Sequence, residues 1–197
     1  MFSLDSQEPS SVETVIIFCI PACFARERIS SKNQTIITGN SLHIDHLWKR
    51  HNLPPIDFIV TSPPYGPMLN KKGLVTRKRE KEGLDLNYSD DENDLGNSPD
   101  YADFIRKVVS VFVALKPKLK PEKYIVVILQ NYMDAGEYKT LAWDVAKELG
   151  RHFQFRGERI WCQDNKTLYP YGYRYSFVPN VHHHYCLIFK NVGRKKE

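Results

Sequence analysis

The stretch that decides the fold is Asp57-Phe58-Ile59-Val60-Thr61-Ser62-Pro63-Pro64-Tyr65. Its first half is a short, mostly apolar run with β-branched residues, which is typical of a buried strand. The two prolines then fix φ and push the residue before them into an extended conformation, so the loop after the strand holds one shape. Because ligands bind at the carboxyl ends of strands in open α/β sheets, this loop is a predicted binding site.

The groups in this loop suit a flat heterocycle that carries an amine. Tyr65 offers a face for stacking, and the Ser62 hydroxyl and the backbone carbonyls of Ser62 and Pro63 are hydrogen-bond acceptors. A nucleobase with an exocyclic NH2 group would satisfy both features. The alternative is an ordinary Pro-Pro turn after a strand, with no ligand.

The segments around the loop alternate between strand and helix patterns. Strands are predicted at residues 35–38, 57–60, 124–129, 156–161 and 184–189. Helices are predicted at residues 42–51, 101–115 and 141–149. We expect Ser98 to cap the middle helix and Pro99 to be its first residue. This alternation predicts a three-layer α/β/α domain.

Length and composition are those of one globular domain. The chain has 197 residues, of which 42% are hydrophobic and 26% are charged. We expect one domain over residues 1–197, with a mobile loop at 70–98 where a basic run precedes an acidic one. The net charge of +5 suits an anionic partner such as nucleic acid. The apolar run from Val15 to Ala25 contains Pro21 and is too short to span a bilayer, so we expect a cytoplasmic protein.

Metal and disulfide chemistry are not predicted. The four cysteines lack the paired spacing of a zinc site and the density of a disulfide scaffold: Cys19, Cys23, Cys162 and Cys186. The run His182-His183-His184 lies in a predicted strand region, where successive side chains point to opposite faces. The three imidazoles therefore cannot converge on one ion.

The motif Thr61-Ser62-Pro63-Pro64-Tyr65 resembles the catalytic motif of the amino-DNA methyltransferases that use S-adenosylmethionine. Serine before the two prolines is typical of the cytosine-N4 enzymes, whereas adenine-N6 enzymes more often have aspartate or asparagine there. The resemblance extends over residues 34–190. It implies a Rossmann-like methyltransferase fold, whole or incomplete, and a site-specific DNA methyltransferase of the restriction-modification kind that modifies cytosine N4.

The resemblance also implies roles for individual residues. Ser62, Pro63, Pro64 and Tyr65 would be the catalytic group, and Thr61 and Asn40 would contact S-adenosylmethionine. Asn40 stands where the family usually has aspartate. Basic residues of the charged loop would bind DNA phosphates, with a solvated loop as the alternative: Lys71, Lys72, Arg77, Lys78 and Arg79.

One part of the family pattern is missing. The turn that holds the methionine end of the cofactor, written phenylalanine, glycine, any residue, glycine, occurs nowhere in the chain. Its backbone amides must approach the ligand closely, which only glycine permits. Residues 16–29 faintly resemble the strand and helix after that turn, with Cys19 in the position of an acidic residue, as in a truncated or decayed copy. Alternatively, a second polypeptide supplies the cofactor-binding half. The alternative function is therefore a non-catalytic or split-enzyme DNA-binding subunit.

Overall fold

The computed structural model describes most of the chain from residue 39 onward. The described residues are 16–17, 35–37, 39–64, 81, 95, 98, 100–134, 137–164, 172–173, 176–177 and 181–193. The contacts divide the chain into two units, residues 1–39 and 40–197, which are described separately. In the first unit, β1 (Ile16–Ile17) and β2 (Thr35–Ile36) pair in parallel. A single domain over residues 1–197 stays a prediction, and most of the charged loop lies outside the described residues.

The second unit alternates strands and helices after a short 3-10 turn at Ser41–His43. Its elements are α1 (Ile44–Arg50), β3 (Ile56–Thr61), α2 (Tyr101–Leu115), β4 (Leu119–Leu129), β5 (Tyr132–Asp134), β6 (Glu137–Lys139), α3 (Leu141–Leu149), β7 (Gln154–Cys162), β8 (Gly172–Tyr173), β9 (Ser176–Phe177) and β10 (His183–Lys190). The alternation is that of an α/β protein, and the predicted fold class is confirmed. No helix in the described ranges is long and apolar enough to cross a bilayer.

Four strands form the main sheet, in the order β3-β4-β10-β7. β3 and β4 are parallel, and β10 runs antiparallel to both of its neighbours. The carboxyl ends of β3, β4 and β7 and the amino end of β10 therefore lie along one edge, which we call the carboxyl edge. Two short hairpins, β5-β6 and β8-β9, form separate pairs.

Helices cover one face of this sheet. Alternate residues of β4 and β10 point to that face and are almost completely buried: Ile125, Val127, Leu129, Leu187 and Phe189. The apolar stripes of α2 and α3 pack on them in a single hydrophobic cluster. α1 and the 3-10 turn contact α2. Burial of each such aliphatic side chain contributes about 1.5–3 kcal/mol, so this face holds the unit together.

The opposite face carries many apolar residues that are exposed or half-buried, and we call it the open face. The strand register places these residues on it: Phe58, Val60, Tyr124, Val126, Ile128, Ile188 and Trp161. Phe58, Val60 and Trp161 are 54%, 57% and 53% exposed. The helices of the described part pack on the other face, so the described structure contains two of the three predicted layers.

Two local predictions were wrong. The N-cap of α2 is Asp100, whose Oδ2 accepts a hydrogen bond of 2.8 Å from the Asp103 amide, while Ser98 is buried and its hydroxyl donates to Asp103. β4 begins five residues earlier than predicted. It bulges between the pairs Ile56↔Leu119 and Phe58↔Tyr124, at Glu122 with φ of 65°. The β5-β6 hairpin was not predicted, because three-residue strands carry no periodic signal.

We predict that the two faces contribute unequally to stability. Leu187→Ala removes a completely buried side chain and should lower the free energy of unfolding by about 2–5 kcal/mol. Val60→Ala, on the open face, should cost about 1 kcal/mol or less, mainly through strand propensity. Urea titration followed by circular dichroism measures both. Equal losses for the two variants would contradict the assignment of the open face.

Candidate functional site

The predicted catalytic loop leaves the sheet at the carboxyl edge. Thr61 is the last residue of β3 and pairs with Val127 of β4. Ser62 is exposed, and Pro63 and Pro64 are half-buried. Ser62 is thus presented to solvent beside the end of a parallel strand, as predicted from the sequence. Tyr65 lies outside the described residues, and the catalytic role of all four residues stays a prediction.

β3 is fixed from its first residue. The Ile56 amide donates to the Lys118 carbonyl at 2.8 Å. The Asp57 carboxylate contacts Lys120 at 2.8 Å and Lys123 at 3.3 Å, and the hydrogen bond from Lys120 is the main reason that its pKa lies below the usual range. These contacts join β3 to the first half of β4. Together with the pairing of Thr61 and Val127, they determine where Ser62 follows the strand.

Two amides organise the neighbouring strand end. The side chain of Gln130 donates to the carbonyls of Val181 and His183, at 3.2 and 3.1 Å, and so ties the end of β4 to the start of β10. Asn131 is buried, and its Oδ1 accepts a hydrogen bond of 2.9 Å from the Ala142 amide in the first turn of α3. Strand, strand and helix are thus held together beside the Ser62 loop. The sequence placed Gln130 and Asn131 at this strand end but gave no sign of their partners.

A second set of contacts links the two core helices near this edge. The Tyr101 hydroxyl donates to Asp144 Oδ2 at 2.7 Å, and the Thr140 hydroxyl donates to the same oxygen at 2.9 Å. Burial is the largest cause that raises the pKa of the Tyr101 hydroxyl, and its hydrogen bond to Asp144 is the second largest. The first residue of α2 is thereby joined to the first turn of α3. Sequence analysis missed this contact because 43 residues separate its partners.

The histidine run forms ring contacts. The ring centroids of Trp161 and His184, on the open face, are 5.2 Å apart. The ring centroids of His183 and Tyr185 are 4.9 Å apart. The rings of His182 and His183 are nearly perpendicular, with centroids 6.1 Å apart. Within the described part of the chain, no group of three or more potential ligands could hold a metal ion.

Asn40, a predicted cofactor contact, has a local structural role. It is the N-cap of the 3-10 turn, and its Oδ1 accepts a hydrogen bond of 2.9 Å from the Leu42 amide. Its side-chain nitrogen and the second lone pair of Oδ1 are the groups left for a contact with a ligand. The predicted phosphate-binding residues lie outside the described ranges: Lys71, Lys72, Arg77, Lys78 and Arg79.

Three of the five described glycines do not fit the methionine end of the expected cofactor. Gly150 ends α3, Gly157 lies within β7 with φ of 101°, and Gly193 follows β10. A cradle of backbone amides needs glycine where a strand turns into a helix. In the described part of the chain, none of these three occupies such a turn.

No family model and no curated protein matches this chain. Solved structures do. TTHA0409 from Thermus thermophilus, assigned as a DNA modification methylase and solved with S-adenosyl-L-methionine, is 16% identical with a TM-score of 0.49; the match covers 81% of this chain and 56% of that one. The PvuII DNA methyltransferase, described as cytosine-N4-specific, is 17% identical with a TM-score of 0.52, and the match covers 78% and 48%.

The likeness to the PvuII enzyme concerns the fold. At 17% identity, it supports a Rossmann-like α/β fold of the methyltransferase type for the matched residues. The chain spans about half the length of the solved proteins that it matches. The site residues must therefore be argued from their own geometry.

We predict that Tyr101 makes stability fall above pH 10. Its pKa is raised in the folded state from an ordinary value of 10.0, so above that pH the unfolded chain loses a proton that the folded chain keeps. The unfolded state is then favoured as pH rises, by less than about 1.4 kcal/mol per pH unit. In Tyr101→Phe this part of the fall in the free energy of unfolding should disappear. Urea titrations of both proteins from pH 8 to 11 measure the difference, and parallel curves would contradict the prediction.

Proposed function

We propose that this chain is the amine-binding half of an S-adenosylmethionine-dependent DNA methyltransferase, acting in the cytoplasm on the exocyclic N4 amine of cytosine. The observation that carries the proposal is the position of Ser62, Pro63 and Pro64. They follow a parallel strand at the carboxyl edge of a sheet whose fold is shared with a cytosine-N4 enzyme. That edge is where α/β proteins bind ligands.

The loop would act by holding the target nitrogen. The amine of cytosine is a poor nucleophile because its lone pair is delocalised into the ring. Acceptors at Ser62 and at the Pro63 carbonyl would engage its two N–H groups and favour a pyramidal nitrogen with a directed lone pair. Pro64 would keep the acceptors in place, and Tyr65 would stack on the base. The amine needs no strong base beforehand, because its proton becomes acidic only when the nitrogen is cationic.

The proposal gives the chain only part of the cofactor site. S-adenosylmethionine would supply the methyl group. Thr61, at the end of β3, and Asn40, through its side-chain nitrogen, are the proposed contacts from this chain. Gly150, Gly157 and Gly193, among the described residues, do not supply an amide cradle for the methionine end.

Contact with DNA is proposed for the basic part of the 70–98 segment. A base in a duplex must be turned out of the stack before the loop can reach it, at a cost of a few kcal/mol that stacking on Tyr65 would partly offset. Basic residues that neutralise phosphates would fix the chain on the duplex without reading its sequence: Lys71, Lys72, Arg77, Lys78 and Arg79.

A second candidate, a non-catalytic DNA-binding subunit, is favoured by the missing glycine turn. Such a protein would keep the base-gripping loop and the basic segment but would not contribute to methyl transfer. The two candidates differ in whether removing the Ser62 hydroxyl changes the methylation of DNA.

We predict that Ser62→Ala reduces N4-methylcytosine in the genome of the cells from which the chain comes. Loss of one acceptor that positions the reacting group should lower the rate about 100-fold, by analogy with single polar groups in other active sites. Mass spectrometry of digested genomic DNA measures N4-methylcytosine and N6-methyladenine together.

Ser110→Ala is the matched control, because Ser110 lies on α2 and its hydroxyl donates to the Lys107 carbonyl within the same helix. It should leave both modified bases unchanged. Loss of N6-methyladenine instead of N4-methylcytosine in Ser62→Ala would refute the choice of cytosine. No change in either base would favour the non-catalytic subunit.

We also predict that the basic segment determines the salt dependence of DNA binding. Replacing its five basic residues by glutamine should reduce the slope of log K against log salt by about 0.9 for every phosphate that is no longer neutralised. Fluorescence anisotropy with a labelled duplex at several salt concentrations measures this slope. A control with five exposed basic residues on or beside the helices replaced by glutamine should bind with the original slope: Lys49, Arg50, Arg106, Lys147 and Arg151. Equal slopes for all three proteins would assign DNA binding to another surface.

A further inference from the structure

The side-chain amide of Asn131 is held in one orientation just after the end of β4. Its Oδ1 accepts a hydrogen bond of 2.9 Å from the Ala142 amide. Because a backbone N–H can only donate, this bond distinguishes the oxygen of the side chain from its nitrogen. The two atoms diverge from the same carbon, so Nδ2 is directed away from the start of α3.

The nitrogen of this amide carries two N–H donors that have no use in the described part of the chain. Asn131 is 2% exposed, and no described residue accepts a hydrogen bond from its Nδ2. Leaving a buried donor without an acceptor is unfavourable, and native proteins rarely do so. The two donors therefore point to a ligand that brings an acceptor.

Capping of α3 alone does not account for an asparagine at this position. The helix amide needs only an oxygen, which aspartate would supply equally well and with a charge that favours a helix amino terminus. Asn191, a buried asparagine at the opposite edge of the sheet, does use its nitrogen, which donates to the Leu119 carbonyl at 2.7 Å. The amide of Asn131 thus differs from that of Asn191 in having donors to spare.

Asn131 lies beside the loop that follows β3. The two strands are parallel, and Thr61 pairs with Val127. Continued in this register, Pro63 comes level with Leu129, the last residue of β4, which precedes Asn131 by two residues. With about 4.8 Å between strands and about 3.3 Å per residue, the Cα atoms of Pro63 and Asn131 are roughly 8 Å apart. This spacing accommodates the edge of one pyrimidine ring with a hydrogen bond at each end.

Cytosine carries groups along one edge that complement the two sides of this space. Its N4 amine is a donor, and its N3 and O2 atoms are acceptors. With the amine held by Ser62 and the Pro63 carbonyl, O2 lies at the other end of the edge and needs a donor. Adenine has the same amine and ring nitrogen but a C–H group in the place of O2. A donor at that position therefore distinguishes cytosine from adenine.

We propose that Asn131 is a specificity-determining residue, whose Nδ2 donates a hydrogen bond to O2 of the target cytosine. The identity of this ligand rests on the proposed function, whereas the unused donors rest on the described contacts alone. The bond between Oδ1 and the Ala142 amide makes α3 the support that keeps Nδ2 in place.

Asn131→Asp tests the proposal in the cells from which the chain comes. The substitution keeps the oxygen for the Ala142 amide and replaces the donors by an acceptor, which repels O2. We expect N4-methylcytosine in genomic DNA to fall about 10- to 100-fold, while the urea midpoint of the purified chain stays the same. A role in capping α3 alone predicts no change in N4-methylcytosine.

Asn52→Asp is the matched control. Asn52 is exposed, and its φ of 46° is one that aspartate also adopts. The control makes the same change of charge away from the carboxyl edge. It should leave both N4-methylcytosine and the urea midpoint unchanged.

A second measurement depends neither on methyl transfer nor on the folding of a variant. The full chain is labelled with nitrogen-15 asparagine, and the side-chain NH2 signals of Asn131 are followed by NMR. Addition of 2′-deoxycytidine should shift these signals, whereas 2′-deoxyadenosine should not. No shift with deoxycytidine, an equal shift with deoxyadenosine, or a shift with S-adenosylmethionine alone would overturn the inference.

The two measurements separate this inference from the proposed function. N4-methylcytosine that depends on Ser62 but is unchanged in Asn131→Asp would overturn the role of Asn131 and leave the function standing. N4-methylcytosine unchanged in Ser62→Ala, together with a selective shift by deoxycytidine, would refute the function and leave the contact with cytosine.

Discussion

The parallel pairing of β3 with β4 is the constraint on which the rest of the structure depends. It fixes the direction of β3, and through Thr61 it fixes the point at which Ser62, Pro63 and Pro64 leave the sheet. It also determines which side of β3 is unpaired in the described part of the chain and which face α2 covers. Both faces of β3 carry apolar residues, so its register is specified by the pairing with β4 and by the contacts of Asp57 with Lys120 and Lys123.

The surroundings of this pairing keep the carboxyl edge rigid. Asn131 holds the start of α3, Gln130 holds the start of β10, and Tyr101 joins the two core helices through Asp144. These polar contacts lie at or near the ends of elements, where backbone groups need partners. The apolar cluster supplies the stability, and the polar contacts determine where the loop is presented.

Much of this architecture follows from the sequence. Residues 57–60 and 124–129 are apolar enough to predict strands, and the spacing of apolar residues in 101–115 and 141–149 specifies helices with one buried face. The expectation that residues 57–60 are buried was wrong, because Phe58 and Val60 lie on the open face and are more than half exposed. The bulge at Glu122 and the cap at Asp100 were missed, because each depends on a contact or dihedral that a pattern of residue types does not encode. The antiparallel placement of β10 between β4 and β7 likewise comes from long-range pairing.

The candidate site was only partly predictable for the same reason. The Ser-Pro-Pro loop could be found because its residue types carry their own chemistry and stiffness. The roles of Asn131, Gln130 and Tyr101 could not, since their partners lie 11 or more residues away. The missing glycine turn was visible in the sequence, whereas the pairing of β3 with β4 alone, in the described part of the chain, was not.

The most direct test of the account is calorimetric titration of the purified chain with S-adenosylmethionine, alone and with a duplex oligonucleotide present. The central claim is that this chain holds the amine-binding loop but not the amide cradle of the cofactor. The account predicts no measurable binding of the cofactor by the isolated chain in either titration. Binding that is weakened by Ser62→Ala would contradict it and would mean that these residues complete the site by themselves.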